Sequence, residues 1–178
     1  MACSSYTLTG MPQECSGAVA GLKRLLIGLY NEWDITADTA TQTATIAAKS
    51  GATNAKFYDY YITDESSSLT STLTINSQNG VKYYTNVINA TFVRMRPQKH
   101  LELQALANEK LVVIAVDNND VNWVLGYGSS VSATEETAQS GQAFDDLSGY
   151  QVTLSQRSGY LPFSVATLPT IDVPESYD

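Results

Sequence analysis

Leu69-Thr-Ser-Thr-Leu-Thr-Ile75, followed after Asn76-Ser-Gln78 by Asn79-Gly80 and the long run Val81-Lys-Tyr-Tyr-Thr-Asn-Val-Ile-Asn-Ala-Thr-Phe-Val-Arg-Met95, settles the fold class. In the first run Leu69, Leu73 and Ile75 share one face while Thr70, Thr72 and Thr74 share the other, the alternation of a half-buried strand. Asn79-Gly80 is a hairpin signal, because both central positions of a tight two-residue turn need residues that tolerate positive φ. The two flanking runs are therefore expected to pair as an antiparallel hairpin. Eleven tyrosines and abundant Thr and Ser extend the same bias to the rest of the chain, since aromatic and β-branched side chains pack well on a pleated surface.

Upstream of the hairpin, Phe57-Tyr-Asp-Tyr-Tyr-Ile62 reads as a strand, and Thr43-Ala-Thr-Ile-Ala-Ala48 as a weaker one. Leu22-Lys-Arg-Leu-Leu-Ile-Gly-Leu-Tyr30 is a short apolar run that suits either a buried strand or a helix fragment, and strand is the preferred reading. The stretch from there to Thr41 is polar and without a predicted element. Downstream, Pro97 ends the long strand and suits the first turn of a helix, where its missing N–H is not needed. Gln98 to Asn108 carries strong helix formers, with Leu103, Leu106 and Ala107 at helical spacing. Leu111-Val-Val-Ile-Ala-Val116 is a continuous apolar run of the kind found in strands buried on both faces, which places it at the centre of a sheet. Asp117-Asn-Asn-Asp120 turns the chain, and Val121-Asn-Trp-Val-Leu-Gly126 returns as its partner. Residues 128–142 show no periodic apolar pattern and read as an exposed loop. Tyr150-Gln-Val-Thr-Leu154 alternates and is expected to be the last strand.

The prediction is a mainly β fold, an antiparallel β-sandwich or partly closed barrel with one packed α-helix. Residues 1–19, small and polar with Gly10, Pro12 and Gly17, read as an N-terminal arm; residues 20–158 as the domain; and residues 159–178, with Pro162, Pro169 and Pro174, as an extended C-terminal arm, either laid over a neighbour or disordered. A chain of 178 residues fits one domain, and 43% hydrophobic with 16% charged residues is enough to bury a core.

The net charge of −8 argues against gripping nucleic acid by its phosphates, which takes a basic face. No stretch approaches the roughly 18 apolar residues of a membrane span, and the N-terminus lacks the basic and apolar regions of a signal peptide. Synthesis in the cytoplasm is the expectation, and with it a reduced Cys3 and Cys15 rather than a disulfide, although the pairing stays open.

The search for chemistry yields no catalytic, cofactor-binding or metal-binding residue and no cofactor. His100, the single histidine, has no cysteine or carboxylate cluster beside it and reads as a surface or helix-packing residue. No serine stands in a Gly-x-Ser-x-Gly elbow that would use it. Asp117 to Asp120 superficially resembles a calcium loop, but the sixth position holds Asn122 instead of Gly and the twelfth lacks Glu, so a hairpin turn is the reading. Asp145 and Asp146 are adjacent and in an extended chain point to opposite faces, which does not make an acid and base pair. Gly126-Tyr-Gly128 lacks the third glycine of a dinucleotide fingerprint and marks a bulge or turn. Asn89-Ala-Thr91 matches the glycosylation pattern without a secretion signal. Tyr58, Tyr60, Tyr61, Tyr83 and Tyr84 suit a sugar-stacking face, or core and interface positions, the reading preferred here.

The order of these pieces resembles the tail-tube-like fold of tailed bacteriophages, and most of all tail or ring proteins of phages related to the crAss-like group. The resemblance spans about residues 20 to 157 and rests on the strand Leu22 to Tyr30, the hairpin about Asn79-Gly80, the helix Gln98 to Asn108, the buried strand Leu111 to Val116, the turn and return Asp117 to Gly126, and Asp145-Asp-Leu-Ser-Gly-Tyr150. It implies a non-enzymatic structural subunit of the virion, assembled in the host cytoplasm. Such a subunit forms a homo-oligomeric ring or tube, of six or twelve subunits, next to other tail or portal-adjacent proteins. DNA passes through without specific binding, and no membrane is involved. An acidic subunit repeated around a ring would repel phosphate if its acids face inward. The alternative is a monomeric carbohydrate-binding or adhesive β-sandwich module.

Overall fold

The structure is a computed structural model that describes residues 10–11, 17–63, 65–143 and 145–174. Cys3 and Cys15, and with them the question of their pairing, lie outside the described residues, as does most of the expected N-terminal arm. In chain order the elements are β1 (Leu22–Leu29), β2 (Trp33–Asp38), β3 (Thr43–Ala48), β4 (Phe57–Tyr61), β5 (Ser68–Asn76), β6 (Val81–Val93), α1 (Pro97–Asn108), β7 (Leu111–Asp117), β8 (Asn122–Leu125), β9 (Ser132–Gln139), β10 (Gly149–Ser158), β11 (Phe163–Ser164) and β12 (Ile171–Asp172). One 3-10 turn, Tyr30–Glu32, joins β1 to β2. The fold is mainly β with one helix, as the sequence predicts: an eight-stranded sheet curled into a half-barrel, packed on a second sheet of four strands.

The large sheet runs β12-β4-β1-β7-β8-β11-β3-β2, and the small one β5-β6-β10-β9. Two apolar cores result. Leu111, Val113 and Ala115 of β7, with Leu25 and Ile27 of β1, point at Ile88, Ala90 and Phe92 of β6 and at Tyr150, Val152 and Leu154 of β10; this is the core between the sheets. Val112 and Ile114, with Leu26, point the other way, into the hollow of the curl, where Trp33, Phe57, Val124 and Phe163 meet them. The continuous apolar run of β7 thus has a direct cause: both of its faces are covered. Burying each such Leu, Ile or Val contributes roughly 1.5–3 kcal/mol. β1 is a strand by the same logic, its apolar residues being divided between the two cores as only a period of two allows.

Four details differ from the expectations. The hairpin between β5 and β6 is joined by four residues, 77–80, since Asn76 is opposite Val81. Only Gly80 of the Asn79-Gly80 pair has positive φ, and the turn is held instead by the Asn76 carboxamide oxygen, which accepts from the N–H groups of Gln78 and Asn79. β2 is a strand in what reads as a polar stretch: Trp33 and Ile35 turn inward between Asp34, Thr36 and Asp38, so three apolar side chains including Ala37 suffice at a sheet edge. β9 occupies most of the expected loop at 128–142; only Ala133 packs on the core, so an exposed edge strand leaves almost no apolar period to read. Lastly, residues 159–174 are not an arm. β11 is inserted between β8 and β3, with Phe163 and Val165 fully buried, and β12 lies parallel to β4. Its prolines interrupt a segment that touches the sheet at only two short places, and such contacts carry no periodicity.

Candidate functional site

The residues singled out for chemistry are engaged locally. At the turn after β7, one carboxylate oxygen of Asp117 accepts from the N–H groups of Asn119 and Val121, both at 2.9 Å, and the other accepts from Trp123 Nε1 at 3.0 Å. Asn118 donates to the Ala20 carbonyl, and the Asn119 side chain bonds both the N–H and the C=O of Val19, so the turn pins the approach to β1. Asp120 pairs with Lys23. The side chain of Asp146 accepts from the N–H groups of Gln142 and Ala143, both at 2.8 Å, and these bonds hold its carboxyl below the ordinary aspartate range. His100 stacks edge-on against Tyr150, whose hydroxyl in turn accepts from the N–H of Arg96 and donates to its C=O. Gly126 and Gly128 both have positive φ, as a turn after a strand requires. Among the described residues no group of three His, Cys, Asp or Glu side chains is placed to hold a metal ion. Among them, too, no helix is long and apolar enough to cross a membrane.

The five tyrosines do not share a face. Tyr58, Tyr60 and Tyr61 lie on β4 in the large sheet, whereas Tyr83 and Tyr84 lie near the start of β6 in the small one. The first group borders a groove of about 650 Å³ beside α1, floored by Phe92, Leu103, Leu106 and Tyr150. The Tyr60 hydroxyl donates to Glu102 across it. Lys99, at one end, donates to the Val93 carbonyl at 2.6 Å; partial burial, and then the charges of Arg96 and Arg94, push its ammonium below the ordinary lysine range.

The strongest departure from ordinary surface design is the outer edge of β5. An open strand edge is a row of unpaired N–H and C=O groups, and soluble proteins usually blunt it with charges, proline, bulges or shortness. Among the described residues three open edges follow that rule. β9 carries Glu135 and Glu136 and a bulge opposite Thr153 and Leu154; β2 carries Asp34 and Asp38; β12 has only two residues. β5 follows none of it: Ser68-Leu-Thr-Ser-Thr-Leu-Thr-Ile-Asn76 has nine residues, no charge, no proline and no break in its register with β6. Beyond the body of the protein the same hairpin exposes Leu73, Ile75 and Val81.

The small sheet also has a distinctive outer face. Thr70, Thr72, Thr74, Thr85, Asn89, Thr91, Gln151, Thr153, Ser155 and Thr137 point away from the core, around Tyr83 and Val87, and within the four strands the charges on that side are Glu135 and Arg157. It is a field of hydroxyl and amide groups, partly bonded to one another, as Thr153 is to Asn89 at 3.1 Å. The sequence offered a signal for both features in the alternation of Thr with Leu in β5, but not the openness of its edge, which depends on which strands are neighbours. In comparison with known proteins, no family model, no curated protein and no solved structure matches the chain.

Proposed function

We propose that this protein is a structural subunit, not an enzyme, that assembles with copies of itself into a ring or tube, as in the tail of a bacteriophage. The observation that carries the reading is the unblunted β5 edge, a nine-residue template that no other described strand covers. The geometry of the small sheet adds to it. Neighbouring strands in β5-β6-β10-β9 are all antiparallel, so the β9 edge of one copy beside the β5 edge of the next continues the alternation; Glu135 and Glu136 oppose the meeting of two β9 edges, whereas the uncharged β5 sets no like charge against them. A contact between two different edges repeats by one operation and closes into a ring when the rotation allows. The hydroxyl and amide face then supplies a channel wall that is nearly neutral, on which DNA phosphates find few cations to bind.

The glycan-binding alternative has less behind it, because the tyrosines on which it rests are divided between two sheets. Light scattering and negative-stain microscopy over a concentration series test the proposal. Rings or tubes with a central hole are expected from the native chain. Thr70→Glu with Thr72→Glu places two charges on the exposed side of β5 and is expected to abolish assembly while leaving the circular dichroism spectrum unchanged. A native chain that stays monomeric at every concentration would overturn the proposal.

A further inference from the structure

The two ends of β6 carry features that fit each other in different copies. At its start the hairpin stands clear of the sheet: β10 pairs with β6 only from Tyr84 onward, leaving the tip without a neighbouring strand on that side among the described residues. There Leu73, Ile75 and Val81 are 41%, 60% and 43% exposed, and from Leu73 to Tyr84 the one charged residue is Lys82. At the other end of β6, some ~40 Å away along an extended strand, Phe92 joins Tyr60, Leu103, Leu106 and Tyr150 in lining the groove beside α1. The groove is electrically lopsided. Lys99, with Arg94 and Arg96 close by, occupies the end where α1 begins, whereas Glu109 lines it where α1 stops and is exposed. Of the other carboxylates lining the groove, Glu102 is engaged by the Tyr60 hydroxyl and Asp59 by Arg24, so Glu109 is the one left facing the opening.

From this we infer that the hairpin tip of one copy docks into the α1 groove of the next, with Leu73 and Ile75 on the apolar floor and Lys82, which shares their face of the hairpin, against Glu109. The inference rests on the assembly proposed above and adds its direction of growth. The tip and the groove are different surfaces at opposite ends of the subunit, so the contact is heterologous, and repeated head to tail along the ring axis instead of around it, it makes a tube from rings. An apolar tip covered by an apolar groove also accounts for the large hydrophobic side chains left in water at that end of the small sheet.

Sedimentation velocity and negative-stain microscopy of the full chain decide the matter, with the native protein, Lys82→Glu, Ile75→Asp, Glu109→Lys and the Lys82→Glu/Glu109→Lys pair. All three positions are exposed or at the groove's lip, so folding should survive, as circular dichroism would verify. Native chains are expected to stack beyond single rings. Lys82→Glu and Ile75→Asp are each expected to raise the concentration needed for stacking by at least about tenfold, since like charges brought together or a buried carboxylate oppose docking. The double charge exchange is expected to restore it. Single rings that form normally and stack unchanged in both hairpin variants would overturn the docking while leaving the ring reading intact. Stacking lost in Lys82→Glu and not recovered by Glu109→Lys would overturn the pairing of those two residues. A native chain that never assembles would remove the ring reading and the docking together.

Discussion

Gly149 opens β10 in a place where no other residue fits. A Cβ there would lie 2.1 Å from the Phe92 carbonyl oxygen and 3.0 Å from the Val93 Cα. Both are backbone atoms of the paired strand and cannot rotate away, so Gly149→Ala is expected to pry β10 from β6 and destabilise the fold by about 3 kcal/mol in urea unfolding. Gly28 is a milder case: its Cβ would meet Trp33 Nε1 at 2.9 Å and the Phe57 ring at 3.2 Å, side chains that can shift. Asp117 works through hydrogen bonds instead of space. Asp117→Ala leaves two backbone N–H groups and the Trp123 indole without their acceptor, an expected loss of about 2–3 kcal/mol by the same unfolding measurement. The turn residues of this loop are legible in the sequence as turn formers. That they also hold the chain ahead of β1 is not, because the bonds to Val19 and Ala20 join positions about a hundred residues apart.

At the scale of elements, legibility follows burial. β7 and β10 are read correctly because covered faces impose an apolar pattern, whereas β9 is missed because only one of its residues packs on the core. The loop before β10 depends on a single carboxylate. Asp146 has its pKa lowered in the folded state by the N–H groups of Ala143 and Gln142, so its contribution is complete above the ordinary aspartate value and is lost as the pH falls through the lowered one. The amide proton shifts of Gln142 and Ala143 are therefore expected to titrate together below the ordinary aspartate range, and in Asp146→Asn that transition should vanish. β6 is the element that joins both proposed contacts: its partner β5 offers the open edge, and its two ends carry the hairpin tip and the floor of the groove.

For the whole molecule, the decisive feature is that the large sheet is covered on both sides, by the small sheet on one and by its own curl on the other. The second core depends on the C-terminal segment. Phe163 is fully buried and touches the rings of Tyr127 and Tyr160 at centroid distances of 5.3 and 5.7 Å. Phe163→Ala is expected to destabilise the fold by about 3–5 kcal/mol, as thermal or urea unfolding would measure; a surface arm would show almost no effect. The same closure concentrates the unsatisfied backbone of the small sheet at β5 and β9, and the contrast between these two edges gives the assembly proposal its direction.

The sequence by itself determined the β class, the helix after Pro97, the position of β7 at the sheet's centre and the turn at Asp117, because each depends on local periodicity or on the backbone preference of a few adjacent residues. Only the tertiary structure decided that the C-terminal segment completes the large sheet, that the tyrosines fall in two groups, and that β5 is left open. Strand neighbours are chosen by contacts between residues far apart in the chain, and a single strand reads the same whether its edge is paired or free.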